Sequence, residues 1–108
     1  MCEYQTLYDN NDGCVLFCKH CRLYHVAFLC LGLTFNEEDF KTFRNLIGYE
    51  YAKVDYSFKN HSRNIMIQTP ADGIGFIFSK YELKRFYEIL EEADTEYRVM
   101  ALLGLFNP

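Results

Sequence analysis

Two cysteines separated by two residues, Cys18 and Cys21, are the side chains whose type and spacing best fit a chemical role. Cysteine pairs at this spacing bind zinc when a tight turn directs both sulfur atoms at one metal ion. A closed structural zinc site has four ligands, so this pair supplies half of one. The spacing therefore predicts a zinc or iron site at a turn, with its other ligands elsewhere in the chain.

The geometry of a hairpin with this pair at its tip narrows the search for those ligands. If Cys18 lies opposite Cys21, then Cys14 lies opposite His25, about 13 Å down the strands at ~3.3 Å per residue. Zinc ligands lie ~2.0–2.3 Å from the metal, so those two side chains are too distant. The remaining donors are Cys2, His20, His61, Cys30 and a second molecule. We favour Cys2, because an N-terminal arm reaches a hairpin tip without distorting a sheet, and the histidines rank below it.

The same pair supports a second interpretation, thiol–disulfide exchange. In proteins of that kind a nearby positive charge or a helix N-terminus lowers the pKa of one thiol. The residues after Cys21, RLYHVAFLCLGLTF, are rich in aromatic and β-branched types and lack a helix-start signal, which favours a strand. A thiol oxidoreductase is therefore the alternative to a metal site, and the metal interpretation involves no catalytic residue.

Composition argues against several other classes of function. The 108 residues include 15 acidic and 11 basic side chains, a net charge of −4, so nucleic-acid binding is not expected. No apolar stretch approaches the ~20 residues that cross a bilayer, and the N-terminus lacks the basic start of a secretory signal. With five cysteines, an odd number, a complete disulfide framework is excluded. We predict a cytoplasmic protein without membrane association.

Two similar halves of the sequence predict the strands and helices that position the cysteine pair. Residues 31–47, LGLTFNEEDFKTFRNLI, align with residues 74–90, IGFIFSKYELKRFYEIL. In both, alternating apolar residues lead into a helix start, with Asn36 or Ser79 as N-cap and Asp39 or Glu82 three residues later. Ahead of them, the hexapeptide FCKHCR at 17–22 resembles FKNHSR at 58–63. If the repeat is real, the fold itself does not require the two thiols.

We predict an α+β fold in one domain, residues 1–108, built as a tandem βββα-βββα repeat. Mainly antiparallel sheet packs against two helices, of which the second is long. Residues 1–12 are an N-terminal arm, residues 13–48 the first unit, and residues 49–108 the second unit with its extended helix. The six strands are predicted at 13–18, 22–28, 30–35, 51–58, 63–69 and 73–79.

The end of the second helix is apolar on nearly every side. Its last residues include Val99, Leu102, Leu103, Leu105 and Phe106. An apolar surface of that size is normally covered. Two interpretations stay open: this segment packs under the sheet of its own chain, or it forms a homodimer interface.

Several segments together resemble a short bacterial family of unknown function. They are the N-terminal Met-Cys, the Cys-x-x-Cys pair, HVAF, LTFNEEDF, IQTPADGIGFIFSKYEL, and LEEADTE ahead of LLGLF. The resemblance spans almost the full chain and implies no activity, substrate or cofactor. It does imply cysteines at positions 2, 18 and 21, and so adds weight to a three-thiolate site.

The predicted function is a small, non-enzymatic binding or regulatory module with zinc held by Cys18, Cys21 and Cys2, and with His20 or His61 as weaker candidates. Its partner would be another protein or a second copy, the latter through the C-terminal helix. The alternatives are a thiol–disulfide oxidoreductase that uses Cys18 and Cys21, and a structural subunit of a homo-oligomer.

Overall fold

The computed structural model describes residues 3–69 and 72–106. Its elements are β1 (Tyr4–Asn10), β2 (Gly13–Cys18), β3 (Leu23–Phe28), β4 (Leu31–Asn36), α1 (Glu37–Ala52), β5 (Ile65–Gln68), β6 (Gly75–Phe78) and α2 (Lys80–Leu102). Strands β1 to β4 form one sheet in chain order, and β5 with β6 forms a separate hairpin. All neighbouring strands are antiparallel. The predicted α+β fold, with antiparallel sheets and a long second helix, is confirmed.

One face of the four-stranded sheet is buried beneath the two helices. Alternate residues of β2 and β3 share this face because successive side chains of a strand point to opposite sides. The face is largely aromatic: the Tyr24 ring stacks on Phe40 of α1 at 3.9 Å, and the Phe28 ring stacks on Phe86 of α2 at 4.6 Å. Stacked pairs add ~0.5–1.5 kcal/mol beyond the burial of their area. Each helix is therefore fixed to the sheet by at least one ring pair.

Both helix starts lie where the sequence placed them. The Asn36 side chain accepts a hydrogen bond from the Asp39 amide at 2.7 Å. At α2, the Ser79 hydroxyl accepts from the Glu82 amide, and the Glu82 carboxylate accepts from the Ser79 amide. These contacts satisfy amides that have no partner within the first turn of a helix. The side chains at these positions thus fix where each helix begins.

The C-terminal end of α2 closes with Gly104 in the left-handed region, φ +79°. The Leu105 amide donates to the Met100 carbonyl and the Gly104 amide to the Ala101 carbonyl, both at 3.0 Å. This pair of bonds is a Schellman motif, in which glycine adopts the required positive φ at little cost. No helix among the described residues is long and apolar enough to cross a membrane.

The predicted strand over residues 51–58 is wrong. Helix α1 extends to Ala52, and residues 54–64 form neither helix nor strand. The Tyr51 ring stacks on Tyr87 of α2 at 4.1 Å, and the Tyr56 hydroxyl donates to the Tyr51 carbonyl at 3.1 Å. The alternating apolar residues that suggested a strand instead belong to a helix end and to the loop after it. Some of their side chains pack against the protein, which gives the alternation.

The N-terminal arm predicted for residues 1–12 is also incorrect over most of its length. Residues 4–10 are the edge strand β1, which pairs with β2 and places Tyr4 opposite Cys18. The register shifts between Thr6 and Tyr8, and the intervening Leu7 is buried. This irregularity breaks the period of two by which a strand is recognised in a sequence. The strands are consequently divided four and two between the halves, not three and three.

Candidate functional site

The cysteine pair lies in a tight turn between β2 and β3. Cys18 ends β2 and pairs with Leu23, the first residue of β3. The Cys18 carbonyl accepts from the Arg22 amide at 2.7 Å, and the Cys18 sulfur accepts from the Cys21 amide at 3.4 Å. The chain between the two sulfur atoms is a turn, as the sequence indicated, and Cys21 does not begin a helix.

The register of this hairpin differs from the one that places Cys18 opposite Cys21. Because Cys18 pairs with Leu23, Cys14 lies opposite Ala27 and Leu16 lies opposite His25. The four-residue turn, with Arg22 at φ +59°, requires this shift. Cys14 and His25 therefore remain down the strands, away from the turn, as expected. The His25 ring nitrogen Nδ1 lies 3.2 Å from the Thr34 hydroxyl, and burial raises the pKa of the Cys14 thiol.

The two cysteines of the turn differ in exposure. Cys18 is fully buried, whereas Cys21 is exposed. Charged side chains surround them: Lys19 forms an ion pair with Glu3 at 2.9 Å, and the His20 ring lies 4.0 Å from the same carboxylate. The hydrogen bond from Lys19 lowers the pKa of Glu3. The turn thus has one buried and one exposed cysteine, and charged side chains that form an ion pair lie beside them.

The start of β1 lies beside this turn. The Lys19 amide donates to the Glu3 carbonyl at 3.2 Å, directly after the Tyr4–Cys18 pair. Cys2, the favoured third ligand, is the neighbour of Glu3 in sequence but lies outside the described residues. Its role as a ligand stays a prediction.

The weaker ligand candidates are dispersed. His20 lies in the turn itself, while His61 packs on the Tyr81 ring at 5.0 Å. Cys30 is exposed in the turn between β3 and β4. Within residues 3–69 and 72–106, no three His, Cys, Asp or Glu side chains form a group that could hold a metal ion. The described residues therefore place Cys18, His20 and Cys21 in one turn but do not bring three possible ligands together around one point.

Arg22, directly after Cys21, makes contacts that the sequence did not reveal. Its guanidinium donates to Glu37 at 2.6 Å, to the Phe106 carbonyl at 2.9 Å and to the Tyr97 hydroxyl at 3.3 Å. The Tyr97 hydroxyl in turn donates to Glu37 at 3.0 Å. We call Phe17, Arg22, Glu37, Tyr97 and Phe106 the C-terminal clasp. Its members join the cysteine turn, the start of α1 and the end of α2.

A second polar region lies between the two helices, in a cleft of about 560 Å³ that includes Arg44, Asp94 and Arg98 in its lining. Arg44 donates to Glu91 at 2.7 Å, and Arg98 pairs with Asp94 on the same helix. Acidic residues of α2 therefore partly hold α1 and α2 together. Opposite charges are paired within this cleft, and its geometry favours a structural role.

Comparison with known proteins adds a family and no activity. A protein-family model described as a family of unknown function matches residues 1–105. No curated protein and no solved structure matches the chain. The role of the cysteine turn must therefore be argued from its own geometry.

Proposed function

We propose a metal-binding role for this chain, which belongs to the family of unknown function DUF6686. The chain would act as a non-enzymatic binding module that holds a thiophilic ion, zinc foremost, at the turn between β2 and β3. The observation that carries the proposal is the hydrogen bond from the Cys21 amide to the Cys18 sulfur at 3.4 Å. It shows two thiol-bearing residues held three positions apart in one tight turn.

That hydrogen bond holds the Cys18 sulfur against the backbone of Cys21, within the turn. Zinc is bound by cysteine sulfur atoms that such a turn brings to one side of the chain. The turn also fixes the backbone of both cysteines before any metal arrives, since Cys18 and Arg22 are joined by a main-chain bond at 2.7 Å. A ligand pair that is already ordered loses less conformational entropy on binding.

The proposed third ligand is Cys2, because the Glu3 carbonyl already accepts from the Lys19 amide of the turn. A closed structural zinc site has four ligands, so the fourth would come from His20 of the same turn or from a partner.

The oxidoreductase alternative has less support. Exchange requires a thiolate attack on an accessible sulfur, and a helix N-terminus commonly activates that thiolate. Cys18 is fully buried, and Cys21 is followed by Arg22 and then by strand β3. Neither cysteine thus lies in the first turn of a helix, the position that commonly activates such a thiolate.

Metal analysis of protein purified without added metal tests the proposal. We expect about one zinc per chain, as in a structural site. Replacing Cys18 or Cys21 by serine should weaken zinc affinity on the order of a hundredfold, since a direct ligand counts for at least as much as its supporting groups. The same loss in Cys2→Ser would identify the third ligand.

The chain supplies its own controls. Cys14→Ser and Cys30→Ser should leave the zinc content unchanged, because neither residue lies in the turn. Zinc below about a tenth of an equivalent in the unmodified protein, together with free alkylation of Cys18 and Cys21, would rule the metal site out.

A structural role in a homo-oligomer is the second candidate, and the end of α2 favours it. Leu102 and Leu103 are 89% and 71% exposed, whereas Phe106 is 5% exposed. The C-terminal segment thus buries one ring in its own chain and leaves other apolar side chains uncovered, as interface residues often are. Light scattering should show a mass above one chain that falls to one in Leu102→Glu, and a monomeric parent protein would exclude this role.

A further inference from the structure

We infer that the state of the cysteine turn controls how firmly the C-terminal end of α2 is held, an inference that rests on the proposed metal site. The residues that flank the pair are the two that hold this end: Phe17 precedes Cys18, and Arg22 follows Cys21. A ligand that fixes the two sulfur atoms would fix both neighbours as well. The turn and the C-terminal clasp would then respond together.

On the strand side, Phe17 packs edge-on against two rings of the C-terminal region. Its centroid lies 5.1 Å from that of Tyr97 and 5.0 Å from that of Phe106. Tyr97 and Phe106 also stack on each other at 5.0 Å. Because Phe17 is fully buried among closely packed side chains, a small displacement at the end of β2 would also displace both rings.

On the other side of the pair, Arg22 depends on an unusual backbone conformation. Its φ of +59° lies in the left-handed region, which residues with a Cβ rarely adopt. This conformation directs the guanidinium towards the Phe106 carbonyl, Glu37 and Tyr97. If the turn relaxes to an ordinary φ, the guanidinium moves away and the carbonyl loses its charged donor.

The segment that responds is limited by the remaining packing of α2. Residues Leu83 to Ala93 of this helix bury several side chains in the main core, and none of these residues is a member of the clasp. After Tyr97, the helix end is held by the clasp, by the Schellman bonds and by Met100 and Ala101, which are partly buried against the core. Local opening confined to residues 99–106 is therefore the expected consequence of an unliganded turn. It would release Phe106 beside the exposed Leu102 and Leu103.

Hydrogen exchange measured by mass spectrometry on the full chain tests this coupling. Protein loaded with Zn²⁺ is compared with protein stripped by a chelator, and the zinc content of each sample is measured. We expect zinc to slow exchange in residues 99–106 about tenfold, within the usual range of coupling between two sites. Exchange in residues 83–93 should change little and serves as the internal reference.

Two matched variants assign the coupling to Arg22. Arg22→Gln should bind zinc with unchanged stoichiometry and lose the zinc-dependent slowing, whereas Arg63→Gln, at the same position of the second hexapeptide, should retain it. Glu37→Gln keeps the arginine and should weaken the slowing in part, so the inference stays testable if Arg22→Gln fails to fold.

The outcomes separate the inference from the proposal beneath it. One zinc per chain with equal exchange at 99–106 in both states would overturn the coupling and leave the metal site standing. Equal slowing at 83–93 and 99–106 would mean that zinc stabilises the whole fold, which also overturns it. Slowing that persists in Arg22→Gln would exclude the clasp as the path, and a chain that binds no zinc removes both claims.

Discussion

Phe17 and Phe58 begin two similar hexapeptides and lie in opposite surroundings. Phe17 of FCKHCR is fully buried, whereas Phe58 of FKNHSR is 72% exposed. Phe17 and Cys18 end β2, the next four residues form the turn, and Phe17 lies on the face of the sheet that the helices cover. The second lies in the loop between α1 and β5. Burial was decided by strand pairing and not by residue type.

The final arginines of the two hexapeptides nonetheless make equivalent contacts. Arg22 pairs with Glu37, the first residue of α1, and Arg63 pairs with Glu82, the third residue of α2. Each arginine therefore contacts a carboxylate in the first turn of the helix that belongs to its own half. The second half achieves this with Lys59 and Ser62 in place of the two cysteines. The thiols are thus unnecessary for this contact, which supports a separate role for them.

Replacing the two phenylalanines gives the largest expected contrast. Phe17→Ala removes a buried ring that contacts Tyr24, Tyr97 and Phe106, and should cost about 3–5 kcal/mol of unfolding free energy. Phe58→Ala should change it by less than about 0.5 kcal/mol, as for other exposed positions. Urea denaturation followed by circular dichroism measures both. A large loss in Phe58→Ala would show that the loop packs more firmly than its exposure indicates.

The two arginines should differ by a smaller amount. Arg22→Gln loses charged hydrogen bonds to Glu37 and to the Phe106 carbonyl, and we expect a loss of about 1.5–3 kcal/mol. Arg63→Gln loses a two-pronged but exposed pair with Glu82, and a loss below about 1 kcal/mol is expected. The same denaturation assay applies. Equal losses would contradict the view that the C-terminal clasp distinguishes the first hexapeptide from the second.

The smallest expected effect is on how steeply the unfolding free energy falls at low pH. Hydrogen bonds from arginine lower the pKa of Asp12, next to Arg85, and of Glu82, next to Arg63. A carboxylate with a lowered folded-state pKa contributes stability that is complete above its unfolded pKa, about 4, and is lost as the pH falls through the folded value. Asp12→Asn and Glu82→Gln should each flatten the decline in unfolding free energy between about pH 5 and pH 2.

The unfolding free energy is measured by urea denaturation at stepped pH, with a change at Asp9, an exposed residue of β1, as the control: Asp9→Asn. The control should follow the parent profile. A variant profile that declines as steeply as the parent would show that the arginine contacts do not persist in solution.

Features set by neighbouring residues were predictable. Asn36 and Ser79 were identified as N-caps because a cap acts within one helical turn, and the β2–β3 hairpin followed from alternation around a short turn. The start of α2 was predicted from Ser79 and Glu82, and its long extent was predicted as well. The cysteine turn was placed correctly, although its register was offset because the turn takes four residues and a left-handed Arg22.

Other features depended on residues far apart in the chain. The strand β1 was missed because a register shift at Leu7 interrupts its alternation, and only pairing with β2 makes it a strand. The end of α1 was misread because Tyr51 is helical through its stack on Tyr87. Neither partner can be recognised from the local pattern.

By itself, the sequence determined the α+β class, the two helix starts and a pair of cysteines in a turn, since each depends on residues within a few positions of one another. The tertiary structure alone decided which hexapeptide is buried and what Arg22 contacts. Its partners Glu37, Tyr97 and Phe106 are 15, 75 and 84 residues away. Contacts over such separations form only when the sheet and both helices have packed. The residues next to Arg22 in the sequence therefore do not identify these partners.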